Sequence, residues 1–171
     1  MDPQVYVIVG SESDLKSVAN SKLEEIFRKL GIVFEVNVIS AHRNPLELSA
    51  LCDHLDGPSK VFIAAAGWAA ALAGAISANT QGWLPVIGVP LPGGPYGPQD
   101  SLYAMASMPP GRPVMVVPNL DNAALAAAQI LSFASEEGRE VRQKLCEYLA
   151  ETTKPTKRNV NLDNFRTKEK K

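Results

Sequence analysis

Short apolar, β-branched runs alternate along this chain with segments of helical period, and that alternation limits the fold more than any other feature. Residues 5–9, Val5-Tyr6-Val7-Ile8-Val9, are apolar throughout and stop at Gly10. A run without polar alternation fits a strand covered on both faces. Leu15, Val18, Ala19, Leu23, Ile26, Phe27 and Leu30 then share one helical face, which predicts a helix over 15–30. Asp14 is placed to cap it and Gly31 to end it. The same reading gives strands at 33–39, 61–65, 85–90 and 113–117. Pro45 opens a helix reaching about residue 56. Further helices are expected over 69–79, near 100–107, from a cap at Asp121 to about 133, and over 136–153.

Strand and helix in strict alternation mean a parallel sheet with helices on both faces, a three-layer αβα sandwich. Ligands of such sheets sit at the carboxyl ends of the strands. That rule selects the loops at 10–14, 40–45, 66–69 and 92–99.

Two helices are rich in alanine, one carrying Ala69, Ala70, Ala71, Ala73, Ala75 and Ala78, the other Ala123, Ala124, Ala126, Ala127 and Ala128. Helix propensity explains this, as does close approach of helices within or between subunits. Periodicity ends after Thr153, so one domain over 1–153 and a basic tail over 154–171 are expected, the tail solvated. A basic tail can also bind nucleic acid, but a net charge of −1 supplies no global field for nucleic acid or anionic membrane, and neither is an expected partner. Cys52 and Cys146 form no CxxC pair, which fits a reduced, cytoplasmic setting. Neither a membrane-spanning run nor a leader pattern is expected.

The loops carry the chemistry. Gly10-Ser11-Glu12-Ser13-Asp14 joins a strand to a helix, with two hydroxyls and main-chain N–H groups suited to an anion and a carboxylate suited to sugar hydroxyls. A plain helix cap is the simpler reading. The loop lacks both the Walker pattern and GxGxxG. Ser40-Ala41-His42-Arg43-Asn44-Pro45 sets an imidazole, which changes charge near neutral pH, beside a guanidinium able to grip phosphate. His54, inside a predicted helix, reads as a surface or boundary histidine. Ala66-Gly67-Trp68-Ala69 lets a flat ligand approach main-chain N–H groups; Trp68 either stacks on a heterocycle or packs between subunits. The loop from Pro92 to Pro98 reads as a rim or lid, or as an ordinary turn. No Ser–His–Asp pattern and no metal-ligand spacing is present, so metal hydrolysis and nucleophilic catalysis are disfavoured.

GSESD at 10–14, SAHRNP at 40–45, AG at 66–67 opening an alanine-rich helix, PVIGVP at 85–90, QDSLYAMASMPPG at 99–111 and NAALAAAQIL at 122–131 together resemble the PurE family over about residues 4–150. The resemblance implies a flavodoxin-like fold, an octameric assembly, an aminoimidazole ribonucleotide and carbon dioxide as small-molecule partners, and no metal or organic cofactor. It implies that Ser11, Asp14 and Arg43 hold the ribose phosphate region and that His42 moves the proton. Ser13 is expected to bind ribose and phosphate beside Ser11 and Asp14, and Ser40 to bind substrate. The main chain around Gly67, Ala69, Ala70 and Ala71 would line the base and carbon dioxide pocket.

The family has a mutase branch and a carboxylase branch. The mutase branch reads AGGAAHLPG after the third strand; this chain reads AGWAAALAG, so Ala71 stands where that branch has histidine. The compact 113–122 stretch is also carboxylase-like, whereas Arg43 and PVIGVP are mutase-like. Direct carboxylation of aminoimidazole ribonucleotide is the favoured expectation, with the N-carboxyaminoimidazole ribonucleotide mutase as alternative. A carboxylase of a different azole or a non-catalytic nucleotide-binding homologue is the third reading.

Overall fold

A computed structural model describes residues 2–53, 60–97, 99–136 and 138–152. The expected basic tail, His54 and the last turn predicted for the helix from Pro45 lie outside the described residues.

Five strands, β1 (Val5–Val9), β2 (Phe34–Val38), β3 (Val61–Ala66), β4 (Val86–Pro90) and β5 (Met115–Val116), form one sheet in the order β2-β1-β3-β4-β5. Every pairing is parallel; Val7 lies between Val36 of β2 and Ile63 of β3. β1, β3 and β4 are interior strands, and every residue of β1 and β3 is buried. That is why these two runs are apolar without alternation. β2 is an edge strand, and its Val36 and Val38 remain exposed.

Among the described residues seven helices cover the sheet: α1 (Leu15–Ala19), α2 (Leu23–Leu30), α3 (Pro45–Asp53), α4 (Leu72–Asn79), α5 (Gln99–Ala106), α6 (Leu120–Ala134) and α7 (Gly138–Thr152). Val5, Val7 and Val9 face α2, α6 and α7, while Tyr6 and Ile8 face the α3, α4 and α5 side. The three-layer αβα sandwich with flavodoxin-like topology is the arrangement expected from the sequence. Leu23, Ile26, Phe27 and Leu30 of α2 are all buried at a spacing of three and four, each contributing about 1.5–3 kcal/mol by leaving water. Gly31 ends α2 at φ 70°, with its N–H donating to the Arg28 carbonyl. In α6, Ala123, Ala124, Ala127 and Ala128 have no exposed surface. These alanines bring helix and sheet close within one protomer. No described helix is long and apolar enough to cross a membrane.

Several sequence expectations need correction. The helix expected over 15–30 is two helices, preceded by a 3-10 turn at Glu12–Asp14. The break is held from outside: the Lys22 N–H donates to Asp121 Oδ1 at 2.8 Å, and the Leu23 N–H donates to Ser21 Oγ. Asp121 is therefore engaged across the fold and does not cap α6. Asn119 caps it, its Oδ1 accepting from the Asn122 N–H at 3.0 Å. Asp14 precedes α1 but makes no side-chain cap bond. α4 starts at Leu72, three residues later than expected, because the chain takes left-handed turns at Trp68 and Ala70 first.

Candidate active site

The sheet order reverses direction at β1 and β3, whose connections leave toward opposite faces, and the crevice at their carboxyl ends is the expected ligand position. A cleft of about 610 Å³ lies there. Its lining includes every residue named from the sequence: Ser11, Ser13 and Asp14; Ser40, His42 and Arg43; Gly67, Ala69, Ala70 and Ala71. Parallel register explains the convergence, since Val9 pairs with Val38 and Ala65, so the three strands end level and their loops rise together.

The first loop is ordered by its own side chains. Ser11 Oγ donates to Asp14 Oδ2 at 2.8 Å and lies 2.7 Å from Ser13 Oγ. A hydroxyl has one proton, so with Ser11 donating to the carboxylate, Ser13 is the donor in the other contact. The result is a directed relay, Ser13 to Ser11 to Asp14. The Asp14 carboxylate thus serves the loop and not the helix end.

The second loop is pinned at Ser40, which is buried and whose Oγ accepts from the Arg43 N–H at 3.3 Å. The Asn44 N–H donates to the Ser40 carbonyl at 2.8 Å. This tight turn presents His42 and Arg43 outward from the end of β2. Arg43 Nη2 reaches back to the Gly10 carbonyl at 3.1 Å, joining the first two loops. His42 is exposed, and its imidazole has no hydrogen-bond partner among the described residues.

The third loop is squeezed. A side chain on Gly67 would place its Cβ 3.3 Å from the Pro92 carbonyl oxygen and 3.4 Å from that of Leu91, so the ends of β3 and β4 meet over bare main chain. Ser101 Oγ donates to the Leu91 carbonyl at 2.7 Å and holds that side of the contact. After Gly67 the chain turns with φ 57° at Trp68 and φ 42° at Ala70, a region costing non-glycine residues about 1–2 kcal/mol each. The Ala70 N–H donates to the Gly67 carbonyl at 3.1 Å. Ala71 then leads into α4.

The sequence reading left Trp68, Leu72 and Pro92 out of the site, though all three line the cleft. Trp68 and Pro92 stand in loops singled out from the sequence; Leu72 falls within the helix expected over 69–79, one position past Ala71. Among the described residues, no group of three or more His, Cys, Asp or Glu side chains converges on a metal position. The cleft combines hydroxyl, carboxylate and guanidinium groups on one side with, among the described residues, one imidazole and an apolar wall from Ala66 to Leu72. That arrangement can hold a polar ligand by its hydroxyls or charge and move a single proton.

Comparison with known proteins gives one family. The model of "AIR carboxylase" matches residues 4–155. The phosphoribosylaminoimidazole carboxylase of Candida albicans is 42 % identical over 134 residues, covering 75 % of this chain and 22 % of the relative. The N5-carboxyaminoimidazole ribonucleotide mutase of Aquifex aeolicus is 41 % identical over 140 residues, covering 80 % of this chain and 81 % of the relative. The crystal structure of Treponema denticola PurE superposes with a TM-score of 0.73 at 27 % identity, over 88 % of this chain and 91 % of that one. The chain spans less than a quarter of the length of the fungal relatives it matches.

Proposed function

This chain belongs to the AIR carboxylase (PurE) family, and from that premise we propose that it forms 4-carboxy-5-aminoimidazole ribonucleotide by adding carbon dioxide to aminoimidazole ribonucleotide. The observation that carries this reading is the convergence of His42, Arg43 and the Ser11–Asp14 relay in one cleft whose far wall is apolar.

In this reading Ser11, Ser13, Asp14 and Ser40 hold the ribose and phosphate, and Arg43 grips the phosphate. A guanidinium has five N–H donors, so Arg43 can keep its bond to Gly10 and still present a fork to an anion. The electron-rich ring carbon attacks carbon dioxide, and the new C–C bond takes the ring's π electrons. The hydrogen on that carbon then leaves as a proton to a nitrogen of His42, and its bonding pair restores the aromatic ring. Apolar surface from Gly67 to Ala71 shields carbon dioxide from water. Among the described residues His42 is the sole histidine lining the cleft, and in this reading it serves both directions of proton transfer. The domain spans residues 1–153, needs no cofactor in this scheme, and acts in the cytoplasm.

The mutase reading has its own support: relatives bearing that name match over more than four-fifths of their length. Ala71 at the second histidine position of the mutase pattern favours direct carboxylation. The two are separated by supplying aminoimidazole ribonucleotide with bicarbonate and, separately, the N-carboxylated isomer, without other enzymes. Conversion of the isomer alone would establish the mutase. We further propose a homo-oligomer, octameric as the family resemblance implies; exposed Leu46, Trp83, Tyr103 and Phe133 offer apolar surface for contacts. Light scattering is expected to give a mass near eight times the 18.4 kDa protomer, and a monomer would refute it.

A further inference from the structure

We infer that Trp68 is a specificity-determining residue whose indole covers the flat ring of the ligand, an inference that rests on the cleft being the ribonucleotide site.

Trp68 holds φ 57°, left-handed backbone in which a bulky residue is an outlier. Such outliers persist where the surroundings over-determine them, and they cluster at ligand sites. Burial does not explain this one, because the side chain is 67 % exposed. Glycine would take the same turn without strain, so the indole must contribute something outside the packing of the free chain. Its position shows what. Trp68 lines the cleft, and its Cδ1 and Nε1 lie beside Gly93, each 3.5 Å from where a side chain on that glycine would begin. The indole thus bridges the loop after β3 to the loop after β4 along the rim.

The other walls are distributed to match. Ser11, Ser13, Asp14, His42 and Arg43 bring the hydroxyl, carboxylate and cationic groups, whereas Gly67, Ala69, Ala70 and Leu72 bring none. A phosphorylated sugar with an attached ring has its charged end fixed by the first set, which leaves the ring for the apolar wall. Within that wall Trp68 supplies the aromatic face. Base–aromatic stacking lowers affinity by about tenfold or more when the aromatic group is removed.

The test compares aminoimidazole ribonucleotide with ribose 5-phosphate, which lacks the ring, by calorimetry on the whole chain. Trp68→Gly is expected to weaken the ribonucleotide about tenfold, leave ribose 5-phosphate unchanged, and keep or raise Tm. Trp68→Phe is expected to retain most ribonucleotide affinity. In a Trp83→Phe background, where Trp68 is the remaining tryptophan, the ribonucleotide is expected to change the emission and ribose 5-phosphate to leave it nearly unchanged. Equal weakening of both ligands would overturn the inference, because it would show a collapsed loop. Unchanged affinity for both, including with an altered oligomer mass, would also overturn it and make Trp68 a packing residue. A wild-type chain that binds ribose 5-phosphate and the ribonucleotide equally sinks the Trp68 inference alone. One that binds neither sinks the functional reading beneath it as well.

Discussion

Arg43 Nη2 donates to the main-chain carbonyl of Gly10 across 3.1 Å, so the loop after β2 holds the loop after β1. The bond is exposed and contributes little stability, about 0.5–1.5 kcal/mol. Its consequence is geometric, since it sets the guanidinium relative to the serine relay, and Arg43 is proposed to grip the phosphate. Arg43→Ala is expected to raise KM about tenfold or more, from the loss of charge-assisted hydrogen bonds, with Tm shifted only slightly. Arg43→Lys keeps the charge but not the fork, and it is expected to recover only part of the loss. Steady-state kinetics and a thermal melt check both.

The Ser11–Asp14 bond gives a second expectation. Asp14→Asn retains the shape but replaces an acceptor-only carboxylate with an amide, so the direction of the relay is no longer enforced. Hydrogen bonds to charged groups are worth about 1.5–3 kcal/mol. Ribonucleotide affinity is therefore expected to fall by roughly ten- to a hundredfold on calorimetry, with the fold retained.

Gly67 faces the main chain just after β4, and an added Cβ would press on the carbonyl oxygens of Leu91 and Pro92. Gly67→Ala is expected to destabilise the chain by about 1–3 kcal/mol through overpacking and to push the Pro92 side of the cleft outward. A denaturant melt together with a rise in KM would report the two effects.

Much of this could be read in the sequence, for identifiable reasons. β1 and β3 are buried on both faces, so their apolar runs are continuous, and strand-end loops follow from them with the lining residues attached. What stayed hidden depends on contacts distant in sequence. The break between α1 and α2 rests on Lys22 meeting Asp121, 99 positions away. The same contact removed Asp121 from the cap position that local pattern assigned to it. The pattern places Ala70 in a helix because alanine-rich sequence has high helix propensity; the left-handed turn at Trp68 and Ala70, and the close approach at Gly67 that precedes it, are tertiary facts. The sequence leaves Trp68 between two roles for the same reason: its backbone conformation does not follow from its neighbours in sequence.

Cys52 gives a pH expectation. Burial, with the nearby Asp53 charge adding to it, raises its thiol from an ordinary 9.0 to about 11. The folded chain thus keeps the proton to higher pH than the unfolded chain, so this stabilisation is complete below pH 9.0 and is lost as pH rises toward about 11. Tyr6 and Lys29 are also raised and act with the same sign, so the informative quantity is a difference. Tm of the wild type is expected to fall more steeply than that of Cys52→Ala across this interval. Cys146 is exposed and is expected to react with a thiol reagent in the folded state while Cys52 does not.

The central claim is that His42 moves the proton when carbon dioxide joins the ring carbon. It is tested most directly by incubating the chain with aminoimidazole ribonucleotide and carbon-13 bicarbonate, without ATP or a second enzyme, and following label at the ring carbon by NMR. The wild type is expected to incorporate label, and His42→Asn to do so about a hundredfold or more slowly with ribonucleotide affinity retained. Full incorporation by His42→Asn would contradict the account.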